Sequence, residues 1–246
     1  MCELTFLFPA WNEEAGIQRA IDAALEVGGF LVSGGVVESF EVVVVDDAST
    51  DRTAEIVAAQ AGRRPEVRLV RHDRNRKLGA ALRTGFEHAR GELILYTDAD
   101  LPFDLFEVER TIRLMRTYDA DVVAGYRHDR TGEGALRWLY SFVWGWLVRL
   151  ALGLRVRDVN FAAKLVRRDA LDAVELRSEG SFIDAELLAR LERGGYRIVQ
   201  IGLDYFPRSR GVSTLSTPAV IGRMFVELSR LRSEIRSSSP AAAAST

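Results

Sequence analysis

Short apolar runs alternate with helical periods along the first 126 residues. Leu4–Pro9 predicts a strand, and Glu13–Val27 a helix with Ile17, Ile21 and Leu25 on one face. Phe40–Val45 is a continuous apolar strand, followed by a helix over Asp51–Ala61. Val67–Val70 predicts a short strand, Leu78–Ala89 a helix, Leu93–Tyr96 a strand, Phe106–Met115 a helix and Val122–Ala124 a closing strand. Strands that are apolar throughout, separated by single helices, predict an α/β fold with a mostly parallel, doubly wound sheet. Gly28–Gly35 is glycine-rich and predicts a loose loop.

The texture changes from Gly134. Arg137–Arg157 holds three of the four tryptophans, four arginines and no acidic residue. It is too short and too charged to span a bilayer, and Trp and Tyr flanked by Arg on a helix suit the membrane interface plane. A core helix pair over the sheet is the other reading. Ala163–Val166 and Ile198–Ile201 predict strands, Asp184–Arg193 a helix and Ala219–Ile235 an amphipathic helix, ahead of a Ser/Pro/Ala tail expected to be disordered. No internal repeat is present.

Composition narrows the function class. A net charge of −2 over 246 residues, with a pI near 6.0, gives no footprint for nucleic acid. The single cysteine, Cys2, excludes a disulfide framework and predicts a reducing compartment. Met1–Phe6 lacks the basic and apolar regions of a secretory signal, and no apolar run is long enough to span a membrane. These features predict a cytoplasmic chain, with contact at a membrane surface left open.

The chemistry lies at the ends of the predicted strands. Leu93–Tyr96 runs into Asp98-Ala99-Asp100. Two carboxylates one residue apart repel each other unless a cation lies between them, and Mg²⁺ or Mn²⁺ takes one or two carboxylates and completes its shell with phosphate oxygens and water. A helix cap or solvated turn is the alternative. The first strand ends in Pro9-Ala-Trp11-Asn12-Glu13 without the Gly-x-Gly-x-x-Gly of a dinucleotide fold. Trp11 offers a flat face for a base and Glu13 an acceptor for ribose, although Asn12 and the glutamates also suit a helix start. The second strand ends in Val45-Asp46-Asp47-Ala-Ser-Thr-Asp51-Arg-Thr53, with Asp51 as a helix N-cap. His72, His88 and His128 lack ligand spacing and are read as incidental.

The Pro-x-x-Asn-Glu turn, the Asp46-Asp47-x-Ser-x-Asp-x-Thr turn, Asn75-x-Lys77-x-Gly79 and Asp98-x-Asp100 occur in that order. Together they resemble GT-A-fold inverting glycosyltransferases, in the branch containing dolichyl-phosphate mannose synthases and polyprenyl-phosphate glucosyltransferases. The resemblance covers roughly residues 3–216. Gly125-Tyr126-Arg127, Asp158-Val-Asn-Phe161 with Lys164-Leu165, and Arg208-Ser-Arg210-Gly-Val-Ser213 resemble three later family stretches. It implies a Rossmann-like glycosyltransferase domain over 1–216, with interface helices at 133–157, a C-terminal amphipathic helix over 217–236 and a tail over 237–246.

By that likeness Pro9, Trp11, Glu13, Val45, Asp47, Lys77, Asp98 and Ala99 bind a GDP- or UDP-hexose, and Asp98 and Asp100 hold Mg²⁺ or Mn²⁺. Asp100, Arg127, Arg208, Asp158 and Asp184 are the catalytic set, and Arg137, Lys164, Arg210 and Ser213 meet the acceptor. That acceptor is a polyprenyl or dolichyl phosphate at the inner face of the membrane, with room for a membrane-protein partner subunit. Pro102 stands where many mannose synthases carry Gln, and Thr214 follows Ser213 where Lys is common, both departures from a GDP-mannose enzyme. The rival expectations are the same chemistry on a soluble or polysaccharide acceptor, and a non-catalytic nucleotide-sugar-binding subunit.

Overall fold

The computed structural model describes residues 2–128, 145–206 and 218–237. Seven strands form one sheet: β1 (Leu4–Ala10), β2 (Phe40–Asp46), β3 (Val67–Arg71), β4 (Leu93–Thr97), β5 (Val122–Arg127), β6 (Ala163–Arg167) and β7 (Ile198–Leu203). Their order is β3-β2-β1-β4-β6-β5-β7. The pairs β3-β2, β2-β1, β1-β4 and β5-β7 are parallel, while β6 runs antiparallel to both β4 and β5. The α/β expectation with a mostly parallel sheet holds.

Among the described residues eight helices flank the sheet: α1 (Ile17–Ser33), α2 (Thr53–Ala61), α3 (Lys77–His88), α4 (Glu107–Thr117), α5 (residues 145–152), α6 (Arg168–Asp172), α7 (Ile183–Arg193) and α8 (Pro218–Ser237). The continuous apolar character of β1 and β2 follows from cover on both faces. Phe6, Phe8, Val42 and Val44 point into one core with α1, α2 and α4. Leu7, Val43 and Val45 point into the other with α3, α5, α7 and α8. The apolar stripe of α8 (Met224, Leu228, Leu231, Ile235) is what holds that helix to the domain.

Two expectations change. Gly28–Ser33 is not a loose loop but the last part of α1. Gly28 sits where a Cβ would lie 2.4 Å from the Phe40 ring, so the glycine lets the helix lie close against β2. The start of α1 moves in the other direction, to Ile17. Glu13–Gly16 form a turn whose amides at Glu13 and Glu14 bond Thr53 and Asp51 rather than extending the helix. The expected cap at Asp51 shifts by one: Arg52 is the residue before α2, and Asp51 lies just ahead of it, accepting the Thr53 amide at 2.9 Å.

Candidate active site

The topology gathers the candidate residues. β1, β2, β4 and β5 run the same way, so Trp11, Asp47, Asp98 and Arg127 all emerge at one edge. The reversed β6 enters from that edge and brings Asp158 and Phe161 there just before it begins. Open α/β sheets bind ligands at this carboxyl edge. Four of its turns each hold a non-glycine residue at positive φ: Asn12 (55°), Ala48 (58°), Lys77 (69°) and Leu101 (54°). Such conformations cost about 1–3 kcal/mol each and persist where surroundings hold them, commonly around binding sites.

At the end of β1, Pro9 lies beside Val45 in the sheet, and Trp11 is 44% exposed. The turn is laced to β2: the Asn12 amide donates to Ser49 Oγ at 2.9 Å, and Asn12 Oδ1 accepts the Thr50 amide at 2.8 Å. Trp11 is thereby presented to solvent on a turn fixed from both sides.

Asp47 is buried, and its carboxylate receives the backbone amides of Arg76 and Lys77, each at 2.7 Å. It caps α3 from a distant strand, leaving Lys77 exposed at the first turn. His72, expected to be incidental, is instead buried between Asp47 Oδ1 (2.7 Å) and Thr84 Oγ1 (3.0 Å). It braces the capping carboxylate against α3. Its partner lies on another strand, so spacing along the chain gave no hint of it.

Asp98, Ala99 and Asp100 form the turn after β4, with Ala99 buried, Asp98 and Asp100 half-buried, and Asp100 Oδ1 shielded from solvent. Among the described residues no group of three or more His, Cys, Asp or Glu is placed to hold a metal. The donor set at this turn is therefore two hard oxygen ligands. That suits Mg²⁺ or Mn²⁺ completed by diphosphate oxygens and water, and does not suit a closed structural site. The hydroxyl of Thr97, directly before Asp98, is buried without a hydrogen-bond partner, a cost usually tolerated where a ligand or water completes the site.

Arg127 leaves β5 and forms a two-pronged pair with Asp158: Nε to Oδ2 at 2.8 Å and Nη2 to Oδ1 at 3.2 Å. The guanidinium also lies 5.4 Å from the Tyr205 ring and 5.8 Å from the Phe161 ring. Arg127 and Asp158 are thus brought together as an aromatic-walled ion pair with fixed geometry.

Asp184 and Lys164 do not reach the open edge. Lys164 is fully buried on β6, donating to Asp184 Oδ1 at 2.7 Å and to the Phe161 carbonyl at 2.8 Å, and the Tyr96 hydroxyl donates to the same Asp184 oxygen. The expectation that Asp184 is catalytic and that Lys164 meets the acceptor is corrected: both are buried, and because a lone buried charge would be too costly they are spent on each other. Burial and the Asp184 charge push the Tyr96 phenol well above its ordinary value, so it stays a donor. Tyr96 carried no signal in the sequence beyond its place in an apolar strand. Arg137, Arg208, Arg210 and Ser213 lie outside the described residues.

The model of the Glycosyl transferase family 2 matches residues 5–174. Glycosyltransferase AglD of Haloferax volcanii is 30% identical over 211 residues, 84% of this chain and 33% of that protein. Dolichyl-phosphate beta-glucosyltransferase ALG5C of Trichomonas vaginalis is 34% identical over 68% of this chain and 52% of its own length. An undecaprenyl-phosphate 4-deoxy-4-formamido-L-arabinose transferase of Pseudomonas aeruginosa is 31% identical over 90% and 63%. The chain thus spans from a third to under two thirds of these relatives.

Among solved structures, mannosyltransferase PcManGT from Pyrobaculum calidifontis, in complex with GDP-Man and Mn²⁺, aligns with a TM-score of 0.69 at 20% identity. The alignment covers 97% of this chain and 65% of that one. Glucosyl-3-phosphoglycerate synthase from Mycobacterium tuberculosis, in complex with UDP, aligns with a TM-score of 0.67 at 21% identity over 94% and 80%. At that identity both speak for the fold, which is of the GT-A type. With most of its length matched by the family model and its sheet matched by these structures, the chain belongs to glycosyl transferase family 2.

Proposed function

We propose that this chain is a metal-dependent, inverting hexosyltransferase that moves mannose or glucose from a GDP- or UDP-sugar to a polyprenyl phosphate of the dolichyl type. The observation that carries the reading is the meeting of opposite chemistries at one sheet edge, the carboxylate pair of Asp98 and Asp100 and the clamped guanidinium of Arg127. In transfer, the acceptor oxygen attacks the anomeric carbon from the face opposite the leaving group. The bond to the nucleoside diphosphate breaks, and its electron pair departs with the diphosphate. Asp98 and Asp100 are the residues that would hold a Mg²⁺ or Mn²⁺, which would supply charge neutralisation for that leaving group. Arg127, held in place by Asp158, would turn a prealigned guanidinium toward that charge without reorganisation, its own charge offset in part by the carboxylate. Trp11 and Lys77 flank the nucleotide side.

Asp184 supports a phosphate acceptor over an alcohol. An alcohol needs a general base, and the Asp184 carboxylate is already engaged by Tyr96 and Lys164 inside the fold. A phosphate oxygen is anionic at neutral pH and needs none. The relatives named for dolichyl-phosphate and undecaprenyl-phosphate transfer support the same acceptor. None of the described helices is long and apolar enough to cross a membrane. Trp146 and Leu150, 55% and 69% exposed one turn apart on α5, support peripheral docking at the inner membrane face.

The test offers GDP- and UDP-hexoses with Mn²⁺ to the chain, with a long prenyl phosphate in vesicles, a soluble alcohol or a soluble phosphate as acceptor. Transfer to the prenyl phosphate that stops in EDTA is expected. Transfer to the alcohol alone would move the chain to a soluble-acceptor class, and donor binding without turnover would mark a non-catalytic subunit.

A further inference from the structure

We propose that Tyr96 is a positioning residue for the metal-bearing end of β4, its hydroxyl fixing the Asp98–Asp100 turn relative to the Arg127–Asp158 clamp. The inference rests on reading Asp98 and Asp100 as the metal ligands. Tyr96 lies two residues before Asp98 and opposite Lys164 in the sheet. Its hydroxyl bonds Asp184 at the start of α7, and Asp184 bonds Lys164 at 2.7 Å. The Lys164 ammonium also bonds the Phe161 carbonyl at 2.8 Å and lies 5.1 Å from the centre of the Tyr96 ring.

The three ammonium directions are thus met by a carboxylate, a carbonyl and the face of the tyrosine. Phe161 in turn walls the guanidinium of Arg127. A continuous set of hydrogen bonds therefore runs from the strand that carries the carboxylate pair to Phe161, in the segment that carries Asp158, the partner of Arg127. Each link is buried, and a buried, fully satisfied polar network has few alternative arrangements. Phenylalanine would complete the apolar packing equally well, since the ring already meets Phe86 edge to face at 5.8 Å. The hydroxyl is therefore the part of Tyr96 that packing does not explain.

The variant Tyr96→Phe removes only that hydroxyl and keeps the Lys164–Asp184 pair. Calorimetry of UDP and GDP binding with Mn²⁺ is read beside kcat, donor KM and Tm. Expected is a Mn²⁺-dependent nucleotide affinity weakened at least about fivefold and a kcat lowered roughly tenfold in a protein that stays folded, the scale that small misplacements at a site produce. A purely structural hydroxyl would lower Tm and leave both readouts of the folded fraction unchanged. Affinity and kcat within about twofold of wild type would overturn the proposal.

Asp184→Glu, which keeps the charge and both donors but moves the carboxylate by one methylene, should show the same split. It decides the matter by the same criterion if Tyr96→Phe does not fold. A wild type that binds neither nucleotide in a Mn²⁺-dependent way would overturn the metal reading and this inference with it. Normal wild-type binding beside an unaffected variant would overturn this inference alone.

Discussion

Asp98 and Asp100 emerge from one tight turn whose middle residue is buried, so their carboxylates act as a pair on whatever occupies the edge of the sheet. Asp100→Ala should abolish metal-dependent turnover while Tm stays close to wild type, because the side chain is partly exposed. Full turnover in EDTA would remove the metal from the reaction. Arg127 calls for a different test, since its two nitrogens meet two oxygens of Asp158. Arg127→Lys keeps the charge and loses the fork. It should lower kcat/KM about tenfold or more, roughly 1.4 kcal/mol of transition-state stabilisation per decade. An unchanged kcat/KM would leave Arg127 a structural partner of Asp158. The acidic pair and Arg127 were legible because each sits in a recognisable run at a strand end. His72 and Tyr96 were not, because their partners stand 25 and 88 residues away and nothing local marks them. The same blindness put Lys164 on the acceptor and Asp184 in the catalytic set, since a charge in a motif does not reveal whether it faces solvent or another charge.

Between elements, the closest approach near the site is α3 against the segment before α7. Gly79 donates its amide to the Glu179 carbonyl at 2.8 Å, and a Cβ there would lie 2.3 Å from the Ser178 carbonyl oxygen. Backbone cannot yield as a side chain can, so Gly79→Ala should cost at least about 1–3 kcal/mol, the usual scale of overpacking, read by denaturant unfolding. It should also weaken donor binding, because Lys77 opens the same helix. The connection between β2 and α2 carries a pH signature. Burial alone would raise the Asp51 carboxyl, but bonds from Thr53 and the Glu14 amide outweigh it and hold it below 3.8. A depressed folded value means the stabilisation is complete above about 3.8 and is lost as pH falls through the lowered value. Asp51→Asn should remove that part of the acid limb of Tm against pH, and an unaltered limb would assign it to other carboxylates. Helix periods and apolar runs located nearly every element in the first half. The end of α1 was missed because two adjacent glycines read locally as a break, while the reason for Gly28 lies across the core at Phe40.

For the molecule as a whole, the exposed apolar face of α5 predicts where it meets a bilayer. Trp146→Ser with Leu150→Ser should leave Tm nearly unchanged, because both side chains already face solvent. The pair should lose flotation with anionic vesicles and transfer to long-chain prenyl phosphate, while slow hydrolysis of the donor by water persists. Retained flotation would move the docking surface elsewhere. The mostly parallel sheet was readable from its alternation of strands and helices, but the reversal of β6 was not, since a strand of five residues has no direction of its own. That reversal has a consequence for how such a protein can diversify. Because β5 leaves through the carboxyl edge and β6 returns through it, residues 128–162 begin and end on the same side of the sheet. The length of that span can change outside the part that packs into the core (α5, Val156 and Val159) without disturbing strand register, at a loop-closure cost that rises only slowly with length. On the proposed reading, grafts between relatives should carry acceptor preference with residues 128–162 and leave nucleotide choice with the strands before them.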